Sequence, residues 1–258
     1  MQIVPWTGTS FTESKFVVER LENSDAAGQV AGKRAFLPGE HIALYRVQIE
    51  TPVLRPQSVD QESGFWLWEG ARDLLQFLAQ ADTQCWCERL VKPHGELEVL
   101  ELGCGHALPA IYLARERHCA RVDFQDHSAH VLQEITQANV WRNAILEGVQ
   151  YPPRFYAGDW RTWLHTESLV DDQRYDLILA SETVYSRAST LLCLQVCQRR
   201  LKPGGIALFA GKTVYFGLDG GMLELDDMLV ELGGRTRLLW QSNTSISSYR
   251  REIRSVHF

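Results

Sequence analysis

Acidic residues stand at the ends of four apolar runs in this 258-residue chain, and glycines accompany two of them. "VLELGCGHALPA" puts Glu101 just ahead of Gly103 and Gly105, and "RVDFQD" closes on Asp126. "FYAGDW" carries Gly158 and Asp159, and "DLILAS" gives way at once to Glu182, with Tyr185 three residues on. Strand-end glycines let a backbone approach a ligand where side chains would collide. The helix that follows offers unpaired N–H groups. An acid about 20 residues later suits a ribose hydroxyl pair, as in nucleotide-binding α/β units.

The spacing also selects among nucleotides. The dinucleotide fingerprint needs a third glycine, where this chain has Leu108, so NAD and FAD are disfavoured. Glu101 suits a ligand carrying an amino group or a sulfonium charge. S-adenosylmethionine joins ribose, adenine and a cationic aminoacyl end without phosphate, and it is the expected ligand. In the same series Asp159 is placed to accept from the adenine amine, and Trp160 to stack on the ring. Alone, the glycines serve any strand–turn–helix, and "GDW" any turn with a core tryptophan. The ordered set Glu101, Gly103, Gly105 and Asp126 carries the ligand reading.

These residues need a framework of strand ends. "LEVLEL" (97–102), "RVDFQD" (121–126), "PRFYAG" (153–158), "YDLILAS" (175–181) and "GIALFAGK" (205–212) read as strands. Helical spacing marks 107–118, 128–143, 189–201 and 222–233. Pro203, Gly204 and Gly205 stop the third of these. Alternating strands and helices imply a mainly parallel sheet covered on both faces. "TRLLWQS" and "YRREIRSVHF" follow each other with no helix between, so one strand is antiparallel. The expected fold is α/β, a doubly wound, mainly parallel seven-stranded sheet. Residues 61–258 form this domain. Residues 1–60, with hairpin-like alternation in "AFLPGEHIALYRVQIETPVLRP", are expected as an N-terminal elaboration packed on it.

Hydrophobic content of 45%, 22% charged residues and a net charge of −6 describe an ordinary soluble chain. They disfavour direct nucleic-acid binding. The N-terminus has no basic start followed by an apolar run, and no window reaches membrane-span length. Six cysteines, including the pairs Cys85/Cys87 and Cys193/Cys197, have no partner at zinc-site spacing. They are expected as buried reduced thiols, hence cytosol or nucleus and no membrane. His127 and His130 share a helix without a completing ligand, so no metal is expected. His106, in the glycine turn, either touches the ligand or points outward.

With these residues in view, the chain resembles the seven-strand (class I) methyltransferases, and more narrowly their protein-histidine methyltransferase branch. The matching pieces are "FWLWEGARDLL", "VLELGCG", "FQDHS", "GDW", "DLILASETVYS" and "KTVYFGLDGG", in order over residues 64–221. The resemblance implies cofactor contacts at Trp68, Glu69, Gly70 and Ala71, and at Gly103, Gln125, Asp126, His127, Gly158, Asp159, Trp160 and Ser181. It also implies a protein substrate; relatives in this branch modify a histidine of a large-subunit ribosomal protein. Without the family, the large apolar residues of "FWLWEG" suit core packing as well as a cofactor.

If Ser181 meets the cofactor, the next residues line an acceptor pocket. Methyl transfer is an in-line displacement, so the acceptor lone pair must be neutral and aimed. A carboxylate that accepts one imidazole N–H fixes the tautomer, aims the other nitrogen and stabilises the imidazolium that forms. Glu182 fits that role, with Tyr185 as a hydrogen-bonding partner or a wall. Lys212, Tyr215 and Phe216 are candidate pocket walls or a solvated rim. An acidic pocket would also serve a lysine acceptor. The bland alternatives are that Glu182 caps the next helix or pairs with Arg187, and that the chain is an inactive cofactor-binding module.

Overall fold

A computed structural model describes residues 1–5, 16–20, 43–47, 63–79, 96–117, 119–143, 149–165, 173–243 and 250–258. Its main sheet has eight strands: β1 (Gln2–Val4), β4 (Glu98–Leu102), β5 (Arg121–Asp126), β6 (Phe155–Ala157), β7 (Tyr175–Ser181), β8 (Leu201–Lys212), β9 (Arg235–Gln241) and β10 (Arg251–His257). A separate two-stranded sheet pairs β2 (Phe16–Arg20) with β3 (Ala43–Val47), antiparallel. The order across the main sheet is β1-β6-β5-β4-β7-β8-β10-β9. Strands β6, β5, β4, β7 and β8 run parallel, and β10 pairs antiparallel with both β8 and β9.

Two features go beyond the expected seven strands. Gln2–Val4 adds an edge strand antiparallel to β6, so the sheet holds a second reversed strand. In "AFLPGEHIALYRVQIETPVLRP", Ala43–Val47 pairs with Phe16–Arg20. The rest of that stretch lies outside the described residues, as do Cys85 and Cys87.

The central strands alternate between two cores. Val99, Leu177, Leu179 and Leu208 face one layer, while Leu100, Leu102, Ile178 and Phe209 face the other. Side chains at period two reach opposite faces, so strands covered on both sides read as unbroken apolar runs. Helices α1 (Glu69–Ala79) and α2 (Leu108–Arg117) supply the first layer, with Leu74, Leu78, Leu108 and Ile111. Helix α3 begins at Ala129–Val131 and ends at Gln137–Arg142, with a π-turn, Leu132–Thr136, between. Helices α4 (Trp160–His165), α5 (Arg187–Arg200) and α6 (Met222–Glu231) cover the second face. Each fully buried Leu contributes about 1.5–3 kcal/mol. Cys104, Cys119, Cys193 and Cys197 are buried free thiols within this packing. Among the described residues, no helix is long and apolar enough to cross a membrane.

Helix α1 is held in register by a polar contact as well as by Leu74 and Leu78. Asp73 is buried on its inner face and accepts two hydrogen bonds from Arg251 of β10. This fixes the start of α1 above the C-terminal ends of the central strands.

Candidate active site

At the end of β4 the chain turns through Gly103 (φ +59°) and Gly105 (φ +47°), in the left-handed region that glycine reaches without a Cβ penalty. A Cβ on Gly103 would lie 3.2 Å from Thr183 Cγ2, and one on Gly105 3.1 Å from the Gly64 carbonyl oxygen. The turn is therefore enclosed by the residues after β7 and by the segment before α1.

Residues from β5 and α3 hold the turn. Gln125 Oε1 accepts from Gly103 N–H (3.1 Å) and from Trp160 Nε1 (2.6 Å), while Gln125 Nε2 donates to the Gly158 carbonyl (2.9 Å). Asp126 Oδ2 accepts from Gly105 N–H and Oδ1 from Ser128 N–H, both at 3.0 Å. Burial pushes the Asp126 carboxyl up from the usual carboxylate range, opposed by those backbone donors. From the π-turn, Thr136 donates to the Gly105 carbonyl (2.6 Å), and one turn later Asn139 donates to that of His106 (3.0 Å). His106 does not point outward: it is buried, with Nε2 3.1 Å from the Phe65 carbonyl oxygen.

Glu101 is fully buried beneath the turn. Its Oε2 accepts from Ala110 N–H in the first turn of α2 (2.9 Å), and its Oε1 is buried without a partner among the described residues. Burial outweighs the Ala110 hydrogen bond and pushes the carboxyl up to about 8. A buried acid with a spare oxygen favours the arrival of a cation or a donor.

The remaining expected cofactor residues divide by environment. Trp160 is half-buried against Gly103, and Ser181 is buried at the end of β7. Gly158 takes φ +125° with Met1 above it. The Asp159 carboxylate is engaged by Arg161 through backbone N–H and guanidinium, which holds its pKa below the usual value. His127 is exposed. Trp66 and Trp68 are 50% and 40% exposed, while Leu67 packs against the first core and half-buried Phe65 sets its ring 5.4 Å from that of His130. Glu69 and Ala71 open α1, with Glu69 3.3 Å from Lys212 Nζ.

Glu182 has a carboxylate held on both oxygens. Its backbone takes φ +56° and donates to the Ala210 carbonyl (2.8 Å). Oε1 accepts from Gly70 N–H (2.9 Å) and Oε2 from the Tyr215 hydroxyl (2.5 Å). Glu182 neither caps the next helix nor pairs with Arg187. Ser186 caps α5 in a capping box with Ser189, and Arg187 pairs with Glu224. The helix whose N-terminus Glu182 does meet is α1, 112 residues earlier. Burial pushes the Glu182 carboxyl up, while Tyr215, Gly70 and Lys212 favour its charged form.

The other acceptor-side residues separate. Tyr215 is buried against Glu182, whereas Phe216 beside it is 71% exposed and lies on the rim. Lys212 Nζ stands 6.0 Å from the Tyr215 ring centroid. Tyr185 is half-buried and packs on the second core, so the hydroxyl on Glu182 belongs to Tyr215. Sequence reasoning passed over Gly64, Thr136 and Thr183. Thr183 Oγ1 is buried beside the glycine turn, without a partner among the described residues. A Thr next to Glu182 was a visible polar signal; Thr136 gave none, because its place depends on the π-turn.

The family described as lysine methyltransferase matches residues 51–214. The chain belongs to this family. It is 30% identical over 90% of its length to a histidine protein methyltransferase 1 homolog of Rattus norvegicus, covering 67% of that protein. It is 32% identical to the homolog of Dictyostelium discoideum, over 65% of this chain and 49% of that protein, and 34% identical to that of Bos taurus, over 62% and 46%. The chain thus spans about half the length of the latter two. Its fold is that of the CcbJ methyltransferase from Streptomyces caelestis, with TM-score 0.50 and 15% identity over 76% of this chain and 96% of that one.

Proposed function

We propose that this chain is an S-adenosylmethionine-dependent protein methyltransferase whose acceptor is a histidine side chain. The observation that carries the proposal is the half-buried Glu182 carboxylate, set at the end of β7 one residue from Thr183, which touches the glycine turn. The similarity to histidine protein methyltransferase 1 homologs supports the choice of histidine. The fit to the cofactor rests on the unpartnered Glu101 Oε1, which suits its ammonium. Gly103, Gln125, Asp126 and Trp160 enclose the turn where ribose and adenine would lie.

Bound S-adenosylmethionine supplies a methyl group on sulfonium; the new N–C bond forms as the C–S bond breaks, and its electron pair stays on sulfur. The residues of this chain perform the rest. Glu182 accepts the N–H of a neutral imidazole and aims the opposite nitrogen at the methyl carbon. As positive charge grows on the ring, the carboxylate stabilises it and takes up the N–H proton. The walls of α1 and the loop after β8 keep Glu182 largely out of water, where its charge acts more strongly.

Incubation with radiolabelled cofactor and cell extract, followed by amino-acid analysis of the labelled protein, tests this. Labelled methylhistidine is expected, and a large-subunit ribosomal protein is the first substrate to try. Methyllysine would move the chain to the second reading, which its family's description favours. No labelled protein would leave an inactive module.

A further inference from the structure

We propose that Tyr215 is a positioning residue: its hydroxyl, together with the N–H of Gly70, fixes the Glu182 carboxylate in the orientation that meets the acceptor. The inference rests on the role given to Glu182 above and adds a residue that acts through it.

Hydrogen-bond direction is settled by the neighbours. The Tyr215 oxygen accepts from Lys212 N–H at 3.3 Å, which leaves its own O–H to point at Glu182 Oε2, 2.5 Å away. Glu182 Oε1 takes Gly70 N–H at 2.9 Å. A carboxylate oxygen has two acceptor sites, so each oxygen keeps one for an incoming N–H. The carboxylate is anchored and still able to accept.

Two glycines make room for this chain of contacts. A Cβ on Gly70 would stand 2.7 Å from Glu182 Oε1, and a Cβ on Gly211 would stand 2.7 Å from the Tyr215 hydroxyl. Gly211 has no positive φ, so space rather than backbone conformation excludes a side chain there. Tyr215 and Phe216 are adjacent aromatics with opposite fates, one 9% and the other 71% exposed. The phenol is the one turned inward.

The charges facing Glu182 are matched in pairs. Lys212 pairs with Glu69 at 3.3 Å, and Arg251 pairs with Asp73. The two neutral donors orient the carboxylate and, with Lys212, favour its charged form. Losing the phenol O–H removes a bond to the charged form, so the Glu182 pKa must rise. An ionised Glu182 would then persist only at higher pH.

The test is Tyr215→Phe, measured beside Glu182→Gln. For Tyr215→Phe, kcat on the protein substrate should fall roughly 10-fold or more, with KM and cofactor affinity nearly unchanged. The acid limb of kcat/KM should move up by about one pH unit. Isotope-edited infrared titration of the cofactor-free protein should show the Glu182 carboxylate midpoint moving the same way. Gly211→Ala keeps every functional group but crowds the phenol, so it should reproduce the pH shift even if Tyr215→Phe folds poorly. A slow Glu182→Gln enzyme beside Tyr215→Phe and Gly211→Ala enzymes with wild-type pH profiles would overturn the role of Tyr215 alone. A fully active Glu182→Gln enzyme would overturn the role of Glu182, and the present inference with it.

Discussion

The sheet carries buried and half-buried acids at both ends, and their partners differ. Toward the N-terminal ends of the strands, Glu98 and Asp176 share Lys202, at 2.5 and 3.0 Å. Asp123 takes the Tyr175 hydroxyl (2.8 Å), the Arg154 N–H (2.9 Å) and Arg121 at 4.0 Å. At the C-terminal ends, Glu101, Asp126 and Glu182 are held by backbone N–H groups and one phenol, and none forms an ion pair among the described residues. An acid matched to a cation has found its partner in folding. An acid held by neutral donors remains oriented and short of positive charge. The second condition suits a site that must receive a cationic ligand or stabilise a cation as it forms.

The largest expected effect falls at the folded end. Asp123→Ala strands the buried Tyr175 hydroxyl and Arg121, which should cost about 3 kcal/mol of stability by denaturant unfolding, with cofactor affinity unchanged. Asp126→Ala should weaken S-adenosylmethionine binding by about 1.5–3 kcal/mol in calorimetry. Unchanged affinity in a folded variant would remove Asp126 from the ribose role. Glu101 offers a pH test. Its folded pKa of about 8 lies above the unfolded value, so its contribution to stability is present at low pH and is lost as pH rises from about 4.5 to 8. An ammonium bound at Oε1 favours the ionised form, so cofactor binding at pH 7 should release up to about one proton. Calorimetry in buffers of different ionisation enthalpy measures this release, and Glu101→Gln should abolish it. The smallest effect is expected from Trp160→Phe, which loses the bond to Gln125 but keeps an aromatic ring, costing about 0.5–1.5 kcal/mol of stability.

What the sequence makes legible is local. Arg121–Asp126 and Tyr175–Ser181 could be read to the residue, because apolar runs stop abruptly at polar side chains. Gly103 and Gly105 announce a turn through their backbone freedom. Gln2–Val4 is too short to show a period. Pro203, Gly204 and Gly205 look like a break, yet β8 runs through them from Leu201, with a register shift against β7 absorbing the extra residues. For the site, residue type marked Glu182, but its partners lie 112 and 33 residues away. Only the fold could bring Gly70 and Tyr215 to it. Tyr185, three residues on, looked the nearer partner, and its side chain packs on the second core instead.

In the proposed function Glu182 serves the reaction, whereas acids such as Asp123 serve the fold. The most direct test is the single-turnover methyl-transfer rate of Glu182→Gln at saturating cofactor, normalised to folded protein, beside Asp123→Asn. Glutamine keeps the size and can still accept from Gly70 or Tyr215, but it lacks the charge that would stabilise an imidazolium in the proposed reaction. Glu182→Gln should bind cofactor normally and transfer on the order of 100-fold more slowly, with Asp123→Asn at the wild-type rate per folded molecule. A Glu182→Gln enzyme transferring at the wild-type rate would contradict that role of Glu182.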